Sequence, residues 1–361
     1  MNWKDFDWVT ISVLFCLAIL SLAALYPYSV LNGGSFFLRQ LVFFLVGFFL
    51  LFSLSFLNIS FLKKQRIFIF ALYLFGVALL ALVLAIGAEV RGTQSWFFFL
   101  PFISGKVAFQ PSEAMKIIVI FILARYLTFR HAHLYKLRDI FISAFYAGIP
   151  AVLIALQPDL GSAVVILFLW FGIIVMAGLP LRRFLLILLL GMIAVGIMWV
   201  WFLEPYQKLR VVSFLNPEAD PLGANYSRIQ SLIAIGAGGI FGRGFGANVH
   251  SLDGFLPEAH TDFMFSMLAE ALGFTGVLII LALYGILVFR LLRFEGKSNF
   301  DRLFASSLGL LIFIQASINI AIALGLLPVT GLTLPFLSYG GSSLISLFIG
   351  LGIYQALYVR S

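Results

Sequence analysis

Of 361 residues, 62% are hydrophobic and only 11% are charged, and the mean hydropathy is +1.10. That is more apolar surface than a water-facing fold of this length can bury, so a soluble protein is excluded. The net charge of +8 sits mostly in short loops, which suits anionic lipid and implies no nucleic-acid partner. A single cysteine, Cys16, excludes an intrachain disulfide and a cysteine-based metal site.

Apolar runs long enough to cross a hydrocarbon core of about 30 Å recur from end to end. Helices satisfy their own backbone groups in lipid, and the alternation of a transmembrane β-barrel is missing, so the expected fold class is an all-α polytopic membrane protein. The first eight residues are too short and acidic for a cleavable signal, and the first apolar run is read as a span. Ten spans are predicted, at 8–27, 36–57, 66–87, 113–129, 140–157, 160–179, 184–203, 263–289, 303–325 and 343–359. Fourteen of the 23 basic residues fall in the tails and in one set of loops, against six in the other set. The positive-inside rule then puts both termini in the cytoplasm.

The chain reads as one domain, 1–361. Its outward connections are the long ones, 88–112 and above all 204–262 between the seventh and eighth spans, so chemistry is expected outside. The glycine-interrupted stretch 229–246 in that loop reads as a helix lying at the interface or re-entering the bilayer.

Several polar residues stand where an apolar helix does not need them. Glu113 and Lys116 open the fourth span three residues apart, which puts them on one helix face as an ion pair, with Ser112 as the expected cap. They either brace the helix or line a polar cavity. Asp159 occupies a tight turn and reads first as the cap of the next helix. The segment FLPEAHTDF brings Glu258, His260 and Asp262 together where the long loop becomes a span. Partial desolvation at that boundary favours proton acceptance by Asp262, the alternative being an N-cap made by Thr261 or Asp262. A metal held by Glu258, His260 and Asp262 would need an irregular backbone. Glu270, deep in the eighth span, must face protein or water. The loop GLLPVTGLTLPFLSYGGSS, rich in proline, glycine and hydroxyls, either dips into the membrane toward a ligand or forms a rigid turn.

Five motifs in order, FQPSEAMK (109–116), QPDLGS (157–162), KLRVVSFLNPEADPLGANYSRIQS (208–231), FLPEAHTDF (255–263) and the 325–343 loop, resemble the SEDS family of shape, elongation, division and sporulation proteins. Val329 and Thr330 resemble its RodA branch. Two stretches depart from the family pattern, at Ser95 before Trp96 and at GANVHSLDG (246–254). The resemblance implies a ten-span peptidoglycan glycosyltransferase in the bacterial inner membrane, with an outward-facing site that polymerises lipid II. A class B penicillin-binding protein and other elongation-complex membrane proteins are the implied partners. It carries the family's essential aspartate onto Asp262, its glutamate and lysine onto Glu113 and Lys116, and its loop arginine onto Arg210. Asp159, Gln230, Glu258, His260, Ser338 and Ser342 complete the substrate-binding candidates. The implied reaction joins a sugar hydroxyl to an anomeric carbon that bears polyprenyl pyrophosphate, which demands a base and positive charge for the leaving group. A divalent cation, Mg or Mn, held by acidic loop residues is a possible assistant. A lipid II flippase, or a scaffold that activates the penicillin-binding protein, is the alternative.

Overall fold

The computed structural model describes residues 5–58, 65–90, 93–99, 107–128, 137–201, 208, 212–214, 225–246, 249–252 and 254–360. Its helices are α1 (Trp8–Leu31), α2 (Phe36–Ser55), α3 (Arg66–Ile86), α4 (Pro111–Thr128), α5 (Leu137–Ala155), α6 (Leu160–Met176), α7 (Leu181–Trp201), α8 (Tyr226–Ala237), α9 (Val249–Leu252), α10 (Met264–Leu292), α11 (Asn299–Ala323) and α12 (Gly341–Tyr358). Each of the ten predicted spans coincides with one of these helices. Eight of them, all but α4 and α6 among the ten, are long and apolar enough to cross a membrane. The protein is thus an all-α, multi-pass membrane protein.

Helix α4 departs from the rule because of where it sits. It is buried along most of its length against α3, α5, α6, α11 and α12, so it faces helices where its neighbours face lipid and can carry Glu113, Lys116 and Arg125. Around it the packing relies on small residues. On α2, Gln40, Phe44, Gly47, Leu51 and Ser55 form one buried stripe against α12. A Cβ on Gly47 would lie 2.3 Å from the Phe348 ring, and one on Gly352 would lie 2.9 Å from Leu54 Cβ. Lipid is as apolar as leucine, so close approach and interdigitation hold such helices together more than apolar burial does.

At one end of the bundle the described residues of the connections are bonded to one another, Asn32 to Leu252, Gln110 to Asp159 and Ser342, and Tyr339 to His260. A three-stranded antiparallel sheet, β1 (Ala88–Val90), β2 (Thr93–Phe99) and β3 (Val107–Phe109), sits at that end and leads straight into α4. The sequence reading assigned no strand there, although the aromatic run of β2 suits one.

Helix α10 is broken. Gly273 adopts φ 67, ψ −166, a conformation closed to residues with a side chain. The break leaves backbone groups without helical partners, and the glycine-rich strap 238–244 takes them up. Arg243 N–H donates to the Glu270 carbonyl at 3.0 Å and Gly244 N–H to that of Ala271 at 2.8 Å, while Phe274 and Thr275 N–H donate to Gly239 and Ile240 carbonyls at 2.9 and 3.0 Å. A Cβ on Gly238 would stand 2.1 Å from the Ala269 carbonyl oxygen, so a side chain there would force the strap off. Backbone approach thus explains Gly238 and Gly242, left-handed φ values explain Gly239, Gly244 and Gly246, and the helical part of that stretch is α8. Ser231 fastens α8, donating to the Ala323 carbonyl (2.6 Å) and sharing a hydrogen bond with Ser266 (2.6 Å).

The opposite end is locked by Asp7, a residue the sequence reading passed over. Its buried carboxylate accepts from Arg290 (2.8 Å), Tyr354 (2.8 Å) and both the N–H (3.3 Å) and hydroxyl (2.7 Å) of Thr10, joining α1, α10 and α12. Burial pushes this carboxyl up, but the hydrogen bonds from Arg290, Thr10 and Tyr354 outweigh it, and its pKa lies below the ordinary 3.8. For an acid whose folded pKa is depressed, the stabilisation is complete above the ordinary value and is lost as pH falls through the folded one. The thermal midpoint in detergent is therefore expected to fall as pH drops below about 4, and Asp7→Asn to lower the midpoint at neutral pH and flatten that acid dependence. An unchanged acid limb in Asp7→Asn would assign it to other carboxylates.

Candidate functional site

Four segments meet at the loop-rich end. The first is the start of α4. Pro111 is the first helical residue, so Ser112 lies inside the helix and does not cap it as expected. Gln110 takes the position before the helix and fastens it to its neighbours. Its N–H donates to Ser342 Oγ (3.0 Å) and its side-chain amide to Asp159 (3.1 Å). One turn on, Lys116 Nζ lies 2.7 Å from Glu113 Oε1, with the pair almost wholly buried. The i, i+3 pairing is as expected, and its burial makes it more than a surface brace.

The second segment is the turn before α6. Asp159 accepts from Ser162 N–H at 3.0 Å, as a helix cap should. Burial raises its pKa, against the pull of the Ser162 N–H and of the Lys116 charge.

The third is the Asp262 turn. Glu258 adopts φ 55, a left-handed conformation uncommon for a residue with a side chain. The turn it creates lets its carbonyl accept from the N–H groups of Thr261 (3.1 Å), Asp262 (3.1 Å) and Phe263 (3.3 Å). Its carboxylate is engaged by the Thr261 hydroxyl at 3.1 Å. Phe263 holds the N-cap position of α10 with no side-chain bond, so the capping role weighed for Thr261 or Asp262 is not found. The His260 ring is packed, stacked on Tyr28 with centroids 4.8 Å apart and lying against Phe36 at 4.7 Å and Tyr339 at 5.8 Å. That packing fastens the turn to α1 and α2 and leaves the imidazole an anchor more than a ligand group.

The fourth is the loop before α12. Asn319 of α11 is fully buried, and its amide donates to the Asp262 carbonyl (2.9 Å) and the Leu332 carbonyl (2.7 Å), tying turn and loop together. Tyr339 N–H donates to the His260 carbonyl at 2.9 Å, and the Ser338 hydroxyl to that of Thr261 while accepting Leu334 N–H at 2.9 Å. Ser338 is thus occupied in holding the turn. Ser342, accepting from Gln110 and donating to the Ala108 carbonyl at 3.2 Å, likewise holds the start of α4.

This loop joins the two charged groups. A Cβ built on Gly331 would stand 3.9 Å from Asp262 Oδ2, while the neighbouring Thr330 carbonyl lies 2.7 Å from where a Cβ on Gly161 would be, two residues beyond Asp159. Asp262 and the turn that carries Asp159 and Gly161 therefore both approach the short stretch Thr330–Gly331. Ser112 Oγ and Thr330 Oγ1 are buried without a hydrogen-bond partner among the described residues. Gln230 is partly exposed on α8, and Arg210 lies outside the described residues. Among the described residues no three of His, Cys, Asp and Glu converge as a metal site. The loop acids Glu218, Asp220 and Asp253 lie outside them.

The sequence reading missed Asn319 and the bracing side of Gln110. Two amides one turn apart within an apolar span, Gln315 and Asn319, were the available signal.

Residues 5–360 match the profile of the FtsW, RodA and SpoVE cell cycle proteins. The chain belongs to that family. Among relatives of this SEDS family, the peptidoglycan glycosyltransferase MrdB of Escherichia coli K12 is 40% identical over 291 residues, covering 80% of this chain and 77% of that protein. A solved chain from a peptidoglycan synthase complex that coordinates polymerisation and crosslinking superposes with a TM-score of 0.80 at 36% identity, over 99% of this chain and 98% of that one. The rod shape determining protein RodA of Thermus thermophilus gives a TM-score of 0.71 at 32% identity, again over 99% and 98%. The resemblance seen in the motifs thus extends over nearly the whole backbone.

Proposed function

We propose that this SEDS protein is the peptidoglycan glycosyltransferase of cell elongation, polymerising lipid II into β-1,4 glycan strands with Asp262 as general base. The observation that carries the assignment of Asp262 is its carboxylate at Gly331, on a turn held by Asn319, Ser338 and Tyr339. A base must be held this firmly to meet a hydroxyl in attacking geometry. Lys116, bonded to Glu113 at the start of α4, supplies positive charge for the departing pyrophosphate, Glu113 orients it, and Arg210 adds a second cation from the long loop. Attack opposite the leaving group inverts the anomeric carbon, and no covalent enzyme intermediate is needed.

The site faces outward in this reading, since the loops that form it belong to the arginine- and lysine-poor side. Ten helices then cross the membrane with both termini in the cytoplasm. Helices α4 and α6 complete the set because α4 is shielded from lipid and α6 is 17 apolar residues long. A penicillin-binding transpeptidase is the partner, as the peptidoglycan synthase complex with the matching chain suggests.

The deciding experiment is incubation of the purified chain with lipid II in detergent, without a partner and without a membrane to cross. Glycan polymer on a gel is the expected result. Polymer only on adding the penicillin-binding protein would favour the scaffold, and none under any condition, with lipid II transport in vesicles, the flippase.

A further inference from the structure

Glu270 is a carboxylate with no exposed surface, in the short half of α10 between Asp262 and the break at Gly273. A buried acid at membrane depth is costly unless it is bound and used. Here Ser251 binds it twice, the hydroxyl at 2.7 Å and the backbone N–H at 3.1 Å, both to Oε2. Ser251 lies in α9, which is tied from the other side where Asn32 donates to the Leu252 carbonyl at 3.4 Å. The backbone of Glu270 is fastened as well, its carbonyl accepting Arg243 N–H at 3.0 Å.

The chain leaves α9 at 252, runs through the segment that carries Asp262 and returns along α10 to Glu270. The Ser251 to Glu270 bonds therefore close this loop at its base. Held at Asn319, Ser338 and Tyr339 on one side, the Asp262 turn is fixed on the other only if the start of its own segment is also held. We infer that Glu270 is a positioning residue, acting through Ser251 to set the approach of the Asp262 carboxylate to the loop at Gly331. The inference rests on Asp262 being the base, and it assigns Glu270 no contact with substrate.

The test uses the full-length protein in detergent, with initial polymerisation rates measured over a range of lipid II concentrations and thermal midpoints taken in parallel. Glu270→Leu is expected to lower kcat about 10- to 100-fold, as small misplacements of a reacting group do, with KM within about twofold. Glu270→Gln keeps a carbonyl oxygen for Ser251 and should hold kcat within a few-fold of the parent. Ser251→Ala should lower kcat by itself, and Ser251→Ala with Glu270→Leu should be no worse than Glu270→Leu, because both remove one link. Parental kcat in Glu270→Leu, multiplicative losses in the double variant, or a loss that only tracks the unfolded fraction would overturn the inference. If Glu270→Leu does not fold, Ser251→Ala decides. A fall in kcat that Glu270→Gln does not deepen supports the role, and parental kcat ends it. Asp262→Asn run alongside separates the two readings. Full activity in that variant removes the base, whereas inactivity there with parental kcat in Glu270→Leu removes only the role of Glu270.

Discussion

Asp262→Asn is expected to leave the protein folded and to lower the rate of glycan polymerisation from lipid II by about 10²- to 10⁴-fold, the usual contribution of a positioned base. The fold should tolerate the change because what holds the turn is its backbone. Asn319 binds the Asp262 carbonyl, Ser338 that of Thr261 and Tyr339 that of His260, and none of these uses the carboxylate. An amide of the same shape keeps the turn and loses the ability to take a proton at neutral pH. The measurement is polymer length and amount on a gel beside the thermal midpoint in detergent. An unchanged midpoint with polymer lost supports the base. Undiminished polymer would remove Asp262 from the chemistry, and a collapsed midpoint would make it a structural residue.

The ten helices were legible because lipid imposes a coarse code. A run of about twenty apolar residues has few other fates, and the predicted ends fall within a few residues of those found. Helix α4 shows where the code thins. It is long enough to span, yet it carries three charges, Glu113, Lys116 and Arg125, and only the helices packed around it explain why they are tolerated. The Glu113 to Lys116 pair and the Asp159 cap were readable because both depend on spacing within one helix turn. The bracing by Asn319, by Gln110 and by Asp7 was not, since each makes a bond to a residue at least 49 positions away. The glycines of 229–246 fell in between. Their density signalled an irregular backbone, but the reason, a strap filling the break at Gly273, depends on a helix that begins some twenty residues later. The packing of His260 on Tyr28 and Phe36 was not legible either, since it joins the motif to the first two helices.

The α4 pair permits a sharper experiment than deletion of either member. Lys116→Met leaves the buried Glu113 carboxylate without the cation at 2.7 Å, and Glu113→Gln strands the ammonium. Breaking a buried pair from one side costs about 3 to 5 kcal/mol, so each single variant should show a clearly lower thermal midpoint as well as lost polymerisation. Combining Glu113→Gln with Lys116→Met removes both charges and their desolvation together, and the midpoint should recover most of the way. What then happens to activity separates the two roles. If the pair only braces α4, polymerisation returns with stability. If Lys116 neutralises the pyrophosphate, the double variant is stable and still inactive, because the missing charge acts on the transition state and not on the fold. The proposed mechanism requires the second outcome, with lipid II consumption at least about 10²-fold below the parent.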